Sequence, residues 1–221
     1  MKENKNAWEN IYKNNMSYLK YPNDNLVSLF FNIKSMIPSD GKFLDFGCGS
    51  GNNAEFLSNY FQEFYAVDIA NSSIELTRKR LNRMDSIYNL NFDTTINSSF
   101  RNLDFILAWQ SLYYNSKESF IESFQELINC LKPNGIIIFS LLNIEDIKVE
   151  NSTQINTFDY KINSTLKSQE NCRIFALHSY EQLLELLNIF SIDIVDYGQF
   201  CRYSKKTSGT KEYYIIGKKH E

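Results

Sequence analysis

The sequence predicts an α/β fold: a doubly wound, mostly parallel sheet with helices on both faces. Three observations carry that prediction. Short apolar runs alternate with amphipathic helical stretches from about Lys42 onward. One run, GIIIFSLL (135–142), is apolar at almost every position, as a central strand covered on both faces must be. The first run leads into three closely spaced glycines and then a helical stretch, a turn that lets backbone approach a ligand.

In chain order, KFLDF (42–46) is a short buried strand that ends at the glycines. NNAEFLSNYF (52–61) places Phe56, Leu57, Tyr60 and Phe61 on one helical face. EFYAVDI (63–69) is the second strand, and SSIELTRKRLNRM (72–84) a more polar helix with Asn71 or Ser72 as its N-cap. NLNFDTTI (89–96) is the third strand and LDFILAW (103–109) the fourth. KESFIESFQELINCL (117–131) carries Phe120, Ile121, Phe124, Leu127, Ile128 and Leu131 on one stripe, and KPNG (132–135) stops it. After GIIIFSLL comes the amphipathic helix SYEQLLELLNIF (179–190). SIDIVDYG and TKEYYIIGKK then pair as a closing antiparallel unit.

Two regions lie outside this alternation. Residues 1–36 precede the first strand and contain a helix, NLVSLFFNIKSMI, packed on the sheet or over the site. Residues 143–178 are rich in Asn, Ser and Thr and lack periodicity, which reads as an insertion capping the site or a mobile loop. At 221 residues and 43% hydrophobic, the chain is read as one domain, 1–221.

The formal charge of −3 and the absence of a basic stripe argue against nucleic acid; basic residues cluster only in short groups such as Lys205–Lys206. No run is long enough to cross a bilayer and the N-terminus is polar, so a cytoplasmic protein without membrane insertion is expected, as a monomer or homodimer. Four scattered cysteines without C-x-x-C spacing read as reduced thiols, and no metal site is expected.

The glycines Gly47, Gly49 and Gly51 spell G-x-G-x-G, whereas a dinucleotide fingerprint would need its third glycine where Asn52 stands. Charge discriminates further. A dinucleotide sets a pyrophosphate at the helix N-terminus, and Asp45, two residues before the loop, would repel it. S-adenosylmethionine has no phosphate and carries a sulfonium and an ammonium, which a carboxylate attracts. Asp68 ends the second strand, 17 positions after Gly51. An acid at such a strand end can accept both hydroxyls of a ribose.

With Asp45, the glycines and Asp68 in place, the sequence resembles the class I S-adenosylmethionine-dependent methyltransferases. FLDFGCGSG looks like their first motif, YAVDIANSSIELTRKRL like the segment after it, and LDFILAWQSLYY like their fourth-strand motif. LINCLKPNGIIIFSLL looks like their LKPGG turn and fifth strand. The resemblance implies a Rossmann-like α/β/α sandwich whose seven-stranded sheet has an antiparallel last strand. It also implies that Gly47 and Gly49 line the methionine part of S-adenosyl-L-methionine, with Asp45 supporting its ammonium and with Cys48, read as packing, and Gly51 in the same cofactor-binding loop. Asp68 would hold the ribose and Ile69 would lie against the adenine. The adenine edge would meet Thr94 or Thr95, with Trp109 and Gln110 also touching the cofactor. AWENIYKNN…YLKYP resembles openings of small-molecule members, where an aromatic lid closes; Tyr12 and Tyr21 are the candidates here.

A base is needed only where the acceptor loses a proton of high pKa. His178, Tyr113 and Tyr114 are the candidate catalytic residues. Base-methylating enzymes of the family resemble one another in a D/N-P-P-Y/F motif where this chain has Trp109-Gln110-Ser111-Leu112. What remains is a small-molecule acceptor. Overall likeness to small single-domain members of the family implies an oxygen of a sugar, phosphate or phosphoramidate group in a bacterial surface-polysaccharide precursor. The alternatives are a metabolite or thiol/tellurite detoxifying methyltransferase, or a cofactor-binding partner subunit without activity.

Overall fold

A computed structural model describes residues 4–61, 63–82, 89–93, 95–96, 100–204 and 207–221. The central sheet runs β3 (Asn89–Asp93), β2 (Glu63–Val67), β1 (Lys42–Phe46), β4 (Leu103–Ala108) and β5 (Leu131–Asn143), all parallel. β10 (Thr207–Lys219) pairs antiparallel with β5, and β9 (Ile192–Ser204) pairs antiparallel with β10. The doubly wound sheet with an antiparallel last strand is therefore present.

The period of two along each strand sorts side chains into two cores. Leu44 and Phe46 of β1, Ile106 of β4 and Ile137 and Phe139 of β5 face one side. Phe43, Phe105, Leu107, Ile136 and Ile138 face the other. The first face is covered by α5 (Lys117–Cys130) and α7 (Tyr180–Leu187) through Phe120, Phe124, Leu183 and Leu187. The second is covered by α2 (Asp24–Ile33), α3 (Asn52–Leu57) and α4 (Asn71–Leu81) through Leu26, Phe30, Leu57 and Ile74. This is why β5 reads as an unbroken apolar run: both of its faces are buried.

Three expectations are corrected. The helix after the glycines is only α3 followed by a 3-10 turn over Ser58–Tyr60, so Phe61 already belongs to the lead of β2. The N-cap of α4 is Ala70, and no side chain caps it; Asn71 opens the helix itself. Residues 143–178 are not without regular structure. They form α6 (Ile147–Glu150) and an antiparallel meander of β6 (Ser152–Gln154), β7 (Asp159–Ile162) and β8 (Arg173–Leu177). β8 joins β5 in parallel at Leu142 and Asn143, just beyond the last β4 pairing at Phe139, so the sheet is prolonged past its carboxyl edge. The N-terminal region supplies α1 (Lys5–Lys13), which the sequence reading had not singled out as a helix. Buried Asn4 anchors it, donating to the carbonyls of Tyr114 and Arg173 at 2.8 Å and accepting from the Arg173 amide at 2.8 Å. Among the described residues no helix is long and apolar enough to cross a membrane.

Candidate active site

The carboxyl ends of β1, β2 and β4 meet at the glycine turn. Gly47 and Cys48 donate their amides to the Val67 carbonyl at 2.7 and 3.1 Å, tying the turn to the end of β2. Gly47 and Gly49 have φ of +76° and +57°, a region that costs an L-residue with a Cβ. Space also demands glycine: a Cβ on Gly47 would lie 2.3 Å from the Ser111 Cβ, and one on Gly49 2.7 Å from the Tyr12 hydroxyl. Ser73 and Thr77 of α4 donate to the Gly49 carbonyl at 2.6 and 3.0 Å, which fixes the turn from outside.

Asp68 sits just past β2, and both its oxygens accept backbone amides, Gly49 at 2.9 Å and Ala70 at 2.9 Å. A carboxylate has about four acceptor sites, so two remain for a ligand. Asp45, on β1, is buried, and its Oδ2 has no partner among the described residues. Burial, and then the nearby Asp68 carboxylate, push the Asp45 carboxyl up to about 8. Burial also raises Asp68, against the amide hydrogen bonds that lower it. Two buried carboxylates, one of them orphaned, make a site that a cationic ligand would neutralise.

Two adjoining cavities open at this edge. The smaller is walled by Phe46, Val67, Asp68, Ile69, Ser111 and Asn115. Ser111 Oγ and Asn115 Oδ1 are buried there without partners among the described residues. The larger runs over Gly47–Ser50 to Trp109, Gln110, Tyr114 and Lys148. An aromatic file separates them: Tyr12 stacks on Trp8 at 5.7 Å, Trp8 meets Tyr114 edge-on at 4.7 Å, and Tyr114 lies 4.6 Å from Tyr113.

The sequence-predicted residues divide as follows. Tyr12, Gly47, Cys48, Gly49, Asp68, Ile69, Trp109, Gln110, Tyr113 and Tyr114 line the two cavities; Asp45, buried on β1, and Gly51, in the turn, line neither. Cys48 is buried, with its Sγ accepting from Thr77 at 3.5 Å. Tyr21 stands at the mouth of the larger cavity and is 70% exposed. Thr95 is exposed and lines neither cavity, Thr94 falls outside the described residues, and so does the Lys205–Lys206 pair. His178 is not brought to the site: it is exposed, it lines neither cavity, and its ring nitrogen lies 3.4 Å from the Thr157 carbonyl. Trp8, Asn4, Ser111, Asn115, Lys148 and Glu212 were not singled out in the sequence. Among the described residues no group of three His, Cys, Asp or Glu could hold a metal ion.

The sheet order, the glycine turn and the two strand-end carboxylates define a class I S-adenosylmethionine-dependent methyltransferase. The chain belongs to the methyltransferase domain family, whose model matches residues 16–189. It is similar to YqeM of Bacillus subtilis (strain 168), itself named only provisionally as a methyltransferase. The two are 25% identical over 114 residues, 49% of this chain and 45% of that relative, so the match spans less than half the relative's length. A solved methyltransferase from Clostridium acetobutylicum ATCC 824 superposes with a TM-score of 0.66 at 16% identity, covering 98% of this chain and 97% of that one. The N-methyltransferase NodS from Bradyrhizobium japonicum WM9, solved with S-adenosyl-L-homocysteine, gives 0.62 at 15% identity over 87% and 84% of the two chains. At these identities the likeness shows the fold.

Proposed function

We propose that this protein transfers the methyl group of S-adenosylmethionine to an already ionised oxygen of a small-molecule acceptor, such as the phosphate or phosphoramidate group of a surface-polysaccharide precursor. The observation that carries the donor half is the orphaned, buried Asp45 beside Asp68 at the ends of adjacent strands. Asp45 takes the ammonium, Asp68 the ribose hydroxyls, and Ile69 with Ser111 and Asn115 the base. When bound, S-adenosylmethionine supplies a methyl on a sulfonium that departs as a neutral thioether, so alignment and exclusion of water do most of the work. Trp8 and Tyr12 of α1 shield the reacting centre from solvent. The meander from 143 to 178 caps the acceptor side.

Support for an ionised oxygen comes from the candidate bases: among the described residues, neither the two tyrosines nor His178 offers one at the acceptor wall. Burial, then Glu212, holds the Tyr113 phenol well above its ordinary value, and burial holds Tyr114 above its own. Both therefore keep their protons at neutral pH and act as donors or walls. His178 stands outside. A sugar hydroxyl would need a base that this wall does not offer, whereas a phosphate oxygen needs none.

The test is methyl transfer from labelled S-adenosylmethionine into fractionated bacterial extract. Label is expected in the acidic small-molecule fraction. Label confined to RNA or lipid would refute the proposal.

A further inference from the structure

We propose that Lys148 is the acceptor-recognition residue, binding an acidic oxygen of the methyl acceptor, carboxylate or phosphate, inside the larger cavity. The inference rests on the methyltransferase reading above and narrows its acceptor to an anion held at a defined place.

Position comes first. Lys148 lies on the four-residue α6, is 9% exposed, and lines the same cavity as Gly47–Gly49. The other cation on that cavity is Arg202 at the rim, three-quarters exposed and already paired with Asp24 at 3.0 Å. Among the described residues Asp24 is also the one carboxylate on the wall. Apart from that rim pair, Lys148 is the one Lys, Arg, Asp or Glu on this cavity among the described residues.

Unused hydrogen-bonding capacity comes second. An ammonium has three N–H donors. Lys148 Nζ reaches Asp146 Oδ1 at 3.4 Å and Glu212 Oε1 at 3.3 Å, both long, and the third donor has no acceptor among the described residues. A buried charge is costly unless paired and fully hydrogen-bonded, so a lysine held this loosely is open to a further partner.

The two carboxylates behind it have other occupations. Glu212 accepts from Gln110 Nε2 at 3.1 and 3.0 Å and from the Tyr113 hydroxyl at 3.1 Å. Asp146 accepts the Lys148 amide at 2.8 Å and the Lys211 amide at 2.7 Å. Neither lines the cavity. They set the height of the ammonium and keep it charged: burial alone would lower its pKa, but Glu212, Tyr114 and Asp146 together hold it above the ordinary lysine value. Trp109, Tyr113 and Tyr114 supply flat walls beside it; Nζ stands 5.5 Å from the Tyr113 ring centroid. Aromatic fragments are therefore suitable probes.

The experiment titrates the protein saturated with S-adenosylhomocysteine with benzoate, phenyl phosphate, benzyl alcohol and benzylamine. Both anions are expected to bind at millimolar concentration, more tightly than the alcohol or the amine. The tighter of the two anions tells whether the natural group is a carboxylate or a phosphate. Lys148→Met should weaken anion binding by about tenfold or more, the usual cost of a lost charged hydrogen bond. Affinity for S-adenosylhomocysteine should stay unchanged, and Lys148→Arg should keep part of the anion affinity. Amine or alcohol binding as tightly as the anions, no anion binding, or anion affinity indifferent to Lys148→Met would overturn the proposal. The ligand series on the unmodified protein decides even if the Met variant fails to fold. Failure of the unmodified protein to bind S-adenosylhomocysteine would strike the methyltransferase reading instead.

Discussion

Cofactor affinity should depend on pH through Asp45. The perturbation is a shift of pH from 7.5 to 6. Burial and Asp68 push the Asp45 carboxyl up to about 8, so without a cationic ligand it is mostly protonated across this range. An ammonium binds the ionised form, and binding must then expel the proton. A group of pKa near 8 is about 99% protonated at pH 6 and roughly three-quarters protonated at pH 7.5. Allowing for the start of titration of the ligand's own α-amino group near 7.7–8.0, affinity should be roughly twentyfold weaker at pH 6, or about 1.8 kcal/mol. Calorimetric titration with S-adenosylmethionine at several pH values reads this directly. Repeating it in buffers of different ionisation enthalpy should show about one proton released at pH 6. Asp45→Asn should bind more weakly at pH 7.5 and lose the slope. A flat affinity in the unmodified protein, or an equal slope in Asp45→Asn, would refute the assignment.

The remaining expectations concern stability. Asp45 acts on folding with its own sign. Its folded pKa is raised, so its contribution is fully present below about pH 4 and is lost as pH rises through about 8, on the order of 5 kcal/mol at most. Asp45→Asn should therefore raise Tm relative to the unmodified protein at pH 8, with little gain at pH 4; thermal melts at both values check this. Gly47→Ala adds a Cβ 2.3 Å from that of Ser111 at φ +76°, so a loss of more than ~2 kcal/mol is expected in denaturant melts, partly recovered by Ser111→Gly. Asn4→Ala removes three hydrogen bonds, one buried and two part-buried, and should cost about 3 kcal/mol locally, read as faster amide exchange along α1 with the sheet unchanged.

Much of this was legible because it is written in local pattern. KFLDF and GIIIFSLL are short, mostly apolar runs and α5 carries a helical stripe, signals that survive without knowledge of partners. Asp45, the glycines and Asp68 stand at strand ends, where the alternation itself marks the ligand edge. The meander of β6 to β8 was missed because its strands are only three to five residues long and are separated by polar stretches, so no period spans the region. Lys148 and Glu212 were missed for another reason: 64 residues separate them, and only the pairing of β10 with β5 brings Glu212 beneath α6. His178 drew notice through the scarcity of histidine, which carries no information about where a chain places it. Asn4 and Trp8 act through contacts to Arg173 and Tyr114, more than a hundred residues away, which local pattern cannot reveal.

The most direct measurement of the central claim is calorimetric titration of the purified protein with S-adenosylmethionine, with NADH as control and Asp68→Ala alongside. The account expects saturable binding of S-adenosylmethionine, none of NADH, and loss of binding in the variant. Binding of NADH in its place, or full affinity retained by Asp68→Ala, would contradict it.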